Sequence, residues 1–327
     1  MMTAMKNHMD MSIIVPTNRP LGKVESSLLN MCGLAASLGA EVIVSDNRGD
    51  ELKTRALRSM FGGSYYVSPE PESVGNHSFA MSKSKTRFSW LLHDDDWISD
   101  LGGSLPCSIP DDFVGICPTI ILASPPTGVY GIRNFDLCHD DPLARIRAYG
   151  AQSNGANSLF FAIWETELAQ NIAIVNKLHP CPAGYQDWAM IQAMLAEGKV
   201  LSIDKLGYRY NNNNWYGPDA AVQEEIQSLM RRAHLPIELA ERMGELRVLD
   251  LVCFLGRGRG YKQPISERYH VLNDILSKLI TNYQGDQIAV YIDQILDRIR
   301  QLDPDAGNRY QRYIEQSLRT PQLEDAL

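Results

Sequence analysis

Three consecutive carboxylates, Asp94, Asp95 and Asp96, close the apolar run Ser89-Trp90-Leu91-Leu92, with His93 before them and Trp97 after. Adjacent negative charges repel one another unless something neutralises them. A hard divalent cation such as Mg²⁺ or Mn²⁺ does this well, because it prefers oxygen ligands and can bridge a carboxylate to the phosphate oxygens of a substrate. The apolar run reads as a buried strand, so the acids emerge where a strand meets a loop. Open α/β sheets carry their ligand sites at such places. For this segment alone, a solvated acidic turn capping the next element is the alternative.

Two other polar clusters share that placement. Pro16-Thr17-Asn18-Arg19 follows the β-branched run 12–15, and Asp46-Asn47-Arg48 follows the run 41–45. Between them lies a segment with Leu21, Val24, Leu28, Leu29 and Cys32 at helical spacing; residues 51–60 read as a second helix, 65–67 as a third strand and 79–84 as part of a third helix. Strands separated by helices pair in parallel through right-handed crossovers, which brings all three polar clusters to the carboxyl edge of one sheet. That coincidence is what a nucleotide pocket needs.

Further along, residues 113–122 and 129–135 read as strands joined at Pro125-Pro126, and 158–164 is another apolar run. Residues 187–197 form a helix with Trp188, Ile191, Met194 and Leu195 on one face and Gly198 as its stop, and strand character resumes at 199–202 and 206–210. After Gly217-Pro218 the pattern changes. Leu272, Ile275, Leu276, Leu279 and Ile280 follow helical spacing, as do Ile288, Ile292, Ile295, Leu296 and Ile299, with Gly285 and a cap at Asp286 between the two sets. The expected architecture is therefore an α/β domain over 1–216, built on a mostly parallel sheet with helices on both faces, followed by an all-helical region over 217–327.

Composition agrees with a folded enzyme. The chain has 327 residues, 44 % hydrophobic and 21 % charged, enough for a large core. A formal net charge of −8 argues against nucleic acid as a partner. Six scattered cysteines without CxxC spacing read as reduced thiols, residues 1–11 lack the apolar stretch of a signal peptide, and no run approaches the ~20 apolar residues of a membrane span. A cytoplasmic location is expected, at most peripheral at the inner face of a membrane.

The segments SIIVPTNRP at 12–20, EVIVSDNRGD at 41–50, LLHDDDW at 91–97 and GYQDWAM at 184–190 occur in an order that resembles glycosyltransferase family 2 with the GT-A fold. The resemblance covers roughly residues 11–216. It implies an inverting, metal-dependent transferase that moves a sugar from a nucleoside diphosphate donor, most commonly a UDP-sugar, to a hydroxyl of a saccharide or glycolipid acceptor in bacterial polysaccharide or glycoconjugate assembly. By the same resemblance Asp96 ligates Mn²⁺ or Mg²⁺, Asp94 contacts ribose or a metal-bound water, Asp95 meets the donor sugar, and Asp46 binds the base or ribose. Pro16 and Thr17 would floor the base pocket. Arg19 would serve phosphate or remain a solvated helix start, and Asn76 would lie near the donor, although the arginine that commonly accompanies it is absent. Asp187 matches the general base of inverting members, and Gln186 replaces the acid that usually precedes it.

Each of these residues also has a plainer reading: an Asx-turn or cap leading to Asp50 for Asp46, a packed residue at a strand end for His93, and a helix N-cap for Asp187. Trp164, Trp188 and Trp215 read as core before sugar-stacking, His139 and His179 as structural, Asn211 to Asn214 as a polar linker, and Arg257-Gly258-Arg259-Gly260 as an interhelical loop. A nucleotidyltransferase would need a Gly-rich loop after the first strand, where residues 16–20 contain no glycine. An aspartyl phosphatase would need a hydroxyl where Trp97-Ile98 stand. The remaining alternative is a catalytically silent sugar-nucleotide binder whose helical region is an interaction module. That region could otherwise bind acceptor, self-associate or lie against a membrane.

Overall fold

A computed structural model describes residues 10–102, 106, 108–124, 128–155, 157–181, 186–211, 219–256, 261–281 and 283–319, except for the side chains of 211, 219, 220 and 286. Of the features singled out in the sequence, Cys107, Pro125-Pro126, Gly184-Tyr185, Asn212 to Tyr216, Arg257 to Gly260 and the Asp286 side chain lie outside this description. In chain order the elements are β1 Met11–Thr17, α1 Leu21–Leu38, β2 Glu41–Asp46, α2 Glu51–Phe61, β3 Tyr65–Val67, α3 Ser73–Ser82, β4 Phe88–Leu91, β5 Trp97–Asp100, β6 Phe113–Ser124, β7 Gly128–Arg133, α4 Pro142–Ser153, β8 Ile163–Glu165, α5 Thr166–Leu178, α6 Gln186–Glu197, β9 Lys199–Asn211, α7 Asp219–Arg232, α8 Met243–Gly256, α9 Ile265–Leu279, α10 Ile288–Leu302 and α11 Pro304–Leu318. The chain is α/β with a helical C-terminal region.

Among the described residues, nine strands form one sheet in the order β3-β2-β1-β4-β8-β6-β9-β5, with β7 on β6. Pairing is parallel through β3, β2, β1 and β4, then antiparallel at β8; β6 and β9 run parallel to each other, and β5 and β7 pair antiparallel at the edges. Every residue of β1 is buried, as expected for a strand covered on both faces. Its register sets Thr17 beside Asp46, and the Leu92 N–H continues the ladder to the Ile14 carbonyl at 3.0 Å. Thr17, Asp46 and the acidic triplet therefore leave the sheet at the same edge.

Residues 199–211 are one strand and not two. The register between β6 and β9 slips at Pro118, so that Pro118 faces Ile203 while Thr119 faces Gly207. Proline has no N–H to donate, and the extra residues of β9 bulge opposite it. The polar Asp204-Lys205 pair in that bulge is what made the sequence read as a break.

The described residues fall into two compact units, one from within 1–138, 148–170 and 198–212, the other from within 139–147, 171–197 and 213–327. The sheet and the acidic triplet belong to the first. The second is helical and centres on α8, where residues 248–256 are all buried. A helix apolar on every side needs neighbours all round it. Asp250 is the exception in α8 and is matched by His179 Nε2 at 3.0 Å, so His179 is a core residue, as its lone position suggested. Arg145 closes the end of α6 by donating to the carbonyls of Leu195 at 2.7 Å and Ala196 at 3.2 Å, which have no helical partner. Leu272, Ile275, Leu276, Ile295, Leu296 and Ile299 are buried as their spacing implies, whereas Leu279, the last residue of α9, is 44 % exposed.

Candidate functional site

The three acids occupy a tight turn between β4 and β5, closed by the Asp96 N–H on the His93 carbonyl at 3.1 Å. Each is held differently. Asp94 is buried, and its Oδ2 accepts the Thr17 hydroxyl at 2.6 Å while its carbonyl accepts the Ser27 hydroxyl of α1. Arg19 lies across the front, with Nη1 at 3.1 Å from Asp94 Oδ1 and 2.6 Å from Asp95 Oδ2, and its side chain is 44 % exposed. Asp96 is 1 % exposed and receives the His93 N–H and the Tyr208 hydroxyl, each at 2.8 Å and both on Oδ2.

Burial pushes the Asp96 carboxyl up to about 6, although His93, its backbone N–H and the Tyr208 hydroxyl pull the other way. Tyr208 is held well above its ordinary value, first by burial and then by Asp96, so it remains a donor. Behind the pair is an aromatic cluster: Phe161 packs edge-on to His93 with ring centres 4.9 Å apart and lies 5.4 Å from Tyr208 and 5.0 Å from Tyr210. Phe161 thus packs on both His93 and Tyr208, the two residues that donate to Asp96. Burial, with His93 beside it, lowers His77 to about 3, so His77 is neutral at pH 7.

The raised Asp96 value gives a stability prediction with a definite sign. A carboxyl that binds its proton more tightly folded than unfolded opposes folding once ionised, so this penalty grows as pH rises from about 4 through 6. Two units correspond to about 3 kcal/mol. Without metal, Asp96→Asn should therefore be more stable than the parent at pH 8, with the gap closing towards pH 4. Urea midpoints at the two pH values measure it, and a gap independent of pH would sink the assignment.

His93, Asp95 and Asp96 each offer one ligand atom, and these atoms lie within 4.8 Å of one another. One imidazole nitrogen with two carboxylate oxygens is a donor set that fits a divalent cation. The sequence singled out Asp96 as the ligand and read His93 as packing. In the structure His93 packs on Phe161 and also completes the group of three.

Asp46 stands beside this cluster and is fully buried. Its Oδ1 accepts the Lys53 ammonium at 2.9 Å and the Arg48 N–H at 3.0 Å, the latter an Asx-turn, and its Oδ2 accepts the Tyr65 hydroxyl at 3.2 Å. Lys53 also reaches Thr17 Oγ1 at 3.1 Å, which links Asp46 through Lys53 and Thr17 to Asp94. Asp50 caps α2 by accepting the N–H groups of Leu52 and Lys53. Asn76 is committed to the strand ends: it accepts the Ser45 hydroxyl at 2.6 Å and donates to the carbonyls of Ser45 at 3.1 Å and Thr17 at 3.4 Å. Pro16 is buried in β1 opposite Ser45.

Lys53 was not anticipated, though one signal existed. Lys53 and Leu57 are one helical turn apart and are the only buried residues of α2, so a cation sits on the core-facing stripe.

In the helical unit, Asp187 is half-buried in the first turn of α6, and its Oδ1 accepts the Trp188 N–H at 3.0 Å. Gln186 is buried and donates to the Cys181 carbonyl at 2.6 Å, which fixes the start of the helix. Trp164 is core, with its indole N–H on the Phe160 carbonyl at 3.1 Å, and Trp188 lies under the Arg247 guanidinium. No helix among the described residues is long and apolar enough to cross a membrane.

No protein-family profile matches the chain, and no curated protein is similar to it in sequence. Similar solved structures include S. aureus TarS 1-349 in complex with UDP-GlcNAc, at 11 % identity and a TM-score of 0.40, covering 94 % of this chain and 89 % of that one. S. aureus TarS 1-349 in complex with UDP aligns at 13 % identity and a TM-score of 0.38, over 94 % of this chain and 91 % of the other. A longer S. aureus TarS structure aligns at 14 % identity and a TM-score of 0.40, over 96 % of this chain and 56 % of its own length.

Proposed function

We propose that the chain is an inverting, metal-dependent glycosyltransferase of family 2 with the GT-A arrangement. Its donor is a nucleoside diphosphate sugar, UDP favoured, and its acceptor is a saccharide or glycolipid hydroxyl. The observation that carries this reading is the linkage of Thr17, Arg19 and the acidic triplet into one cluster at the carboxyl ends of parallel strands, where sheets of this kind bind nucleotides.

His93, Asp95 and Asp96 would hold Mn²⁺ or Mg²⁺, which supplies positive charge to the diphosphate as the sugar leaves. Arg19, on the exposed side of the cluster, binds a phosphate oxygen, and Asp94 accepts from ribose. Pro16 and Thr17 floor the nucleoside pocket. Asp46 organises that floor through Lys53 and meets the nucleoside itself only where Tyr65 yields its hydrogen bond. Asn76 acts on the donor side by fixing the ends of β1 and β2. Asp187 is the general base. Residues 1–216 supply the transferase, and 217–327 serve acceptor binding, self-association or contact with a membrane.

Nucleoside diphosphates and their sugars, screened by thermal shift with and without Mn²⁺, test the reading. A ligand that binds only the folded state raises its melting temperature, by several degrees at about 100 times Kd. The expected result is a shift with one class of nucleoside diphosphate that requires Mn²⁺ and is lost in excess chelator. A full shift in chelator would overturn the metal, and no shift with any donor would overturn the transferase.

One observation favours a second reading, a sugar-nucleotide binder without turnover. Gln186 is buried against the Cys181 carbonyl, a structural commitment at a position where the family carries an acid. Donor binding with no transfer to any of a broad panel of saccharide acceptors would favour it.

A further inference from the structure

We propose that Arg19 is a resident counter-ion of the acidic triplet, displaced when a divalent cation arrives, so that metal and diphosphate bind as a coupled pair. This rests on the metal-dependent reading above and adds a role that the residue types alone do not assign.

The geometry sets up a competition. Arg19 Nη1 lies 2.6 Å from Asp95 Oδ2, and Asp95 is also one of the three residues whose ligand atoms cluster within 4.8 Å. A guanidinium and a dication cannot share one carboxylate at close range without strong repulsion. A dication on Asp95 therefore weakens the hold of Arg19 on it. The flanking acids are held in place, Asp94 by the Thr17 hydroxyl on its carboxylate and the Ser27 hydroxyl on its carbonyl, and Asp96 by Tyr208 and the His93 N–H. Lys53, the other cation nearby, is fully buried and ion-paired to Asp46, so it cannot act as the exchangeable charge. Arg19 combines a half-exposed side chain with contacts to two of the acids.

The consequence is a thermodynamic coupling. Metal binding alone must loosen the contact of Arg19 with Asp95, which weakens it. When a diphosphate arrives as well, the released guanidinium gains a phosphate partner suited to its fork geometry, and the loss is offset. Each ligand then strengthens the other, and the coupling runs through one side chain.

The test is calorimetric titration of the full chain with Mn²⁺, comparing the parent with Arg19→Gln and Arg19→Lys, first alone and then with saturating UDP, GDP or dTDP. Without nucleotide, Arg19→Gln should bind Mn²⁺ about tenfold more tightly than the parent, within the usual range of coupling between sites. With the nucleotide that binds, Mn²⁺ affinity should rise about tenfold in the parent and little in Arg19→Gln. Arg19→Lys, which keeps the charge without the fork, should fall between them. Arg19→Gln should also melt below the parent in chelator, because Asp94 and Asp95 lose their counter-ion, and recover in Mn²⁺. Equal Mn²⁺ affinity in parent and Arg19→Gln, unchanged by nucleotide in both, would overturn the exchange while leaving the metal site standing. No Mn²⁺ binding by any of the three proteins would overturn the metal reading, and this inference with it.

Discussion

Asp46→Ala is expected to lower folding stability by about 3–5 kcal/mol, the usual consequence of removing one partner of a buried ion pair. Both side chains of the Asp46 and Lys53 pair are fully buried, and the ammonium approaches Oδ1 at 2.9 Å. Alanine would leave that ammonium with the Thr17 hydroxyl at 3.1 Å and the Tyr65 hydroxyl with Thr54 Oγ1 at 3.2 Å, and the Arg48 N–H would lose its acceptor. The size comes from the unpaired charge and not from the contact itself. A double variant separates the two. Asp46→Asn with Lys53→Met removes both charges but keeps an acceptor for Tyr65 and Arg48, and it should recover all but about 1 kcal/mol, since a neutral pair of similar volume replaces many buried ion pairs at little cost. Urea unfolding of the three proteins measures this. A loss under 1 kcal/mol in Asp46→Ala would mean that water reaches Lys53, and Asp46 would then be open to a nucleoside directly.

The part of the site that lies close along the chain was legible, and the part made by distant residues was not. Residues 12–15, 41–45 and 89–92 announce themselves as buried strands because each is a short apolar run ending in polar residues, and their parallel pairing follows from the helices between them. Thr17, Arg19, Asp46 and the acidic triplet could thus be assigned to one edge from spacing alone. Tyr208 lies 112 positions from Asp96, and nothing in an alternating strand says which distant acid its hydroxyl will meet. Phe161 reads only as part of an apolar run, yet its ring backs both His93 and Tyr208. Helix α4 was missed because its apolar stripe is weak: Leu143, Ile146 and Tyr149 are buried, while Arg145 is buried too and acts as a cap for α6. Charged residues that serve the interior, such as Arg145, Lys53 and Asp250, share this difficulty. Pattern reading sends them to the surface, and only their partners bring them in.

Asp187→Asn should leave donor affinity unchanged and lower turnover by roughly 10² to 10⁴, the range for losing a positioned general base. The substitution preserves shape and keeps the oxygen that accepts the Trp188 N–H, so the first turn of α6 should be undisturbed. Gln186 and its hydrogen bond to the Cys181 carbonyl, which fix the start of that helix, are untouched. What the substitution removes is the charge and with it the basicity of the carboxylate. A carboxylate in contact with the acceptor hydroxyl can take its proton. That suffices where the acceptor proton departs late, after the bond to the leaving diphosphate is already long. A single displacement with this base forms no covalent glycosyl intermediate, so attack comes from the face opposite the leaving group and the product anomer is inverted. Single-turnover rates, donor calorimetry and the anomeric proton coupling of the product by NMR read the three consequences separately. Retained configuration would exclude the direct displacement whatever the rates show. Inversion with near-normal turnover in Asp187→Asn would keep the displacement and move the base to another residue, and a large loss of donor affinity would make Asp187 a binding residue instead.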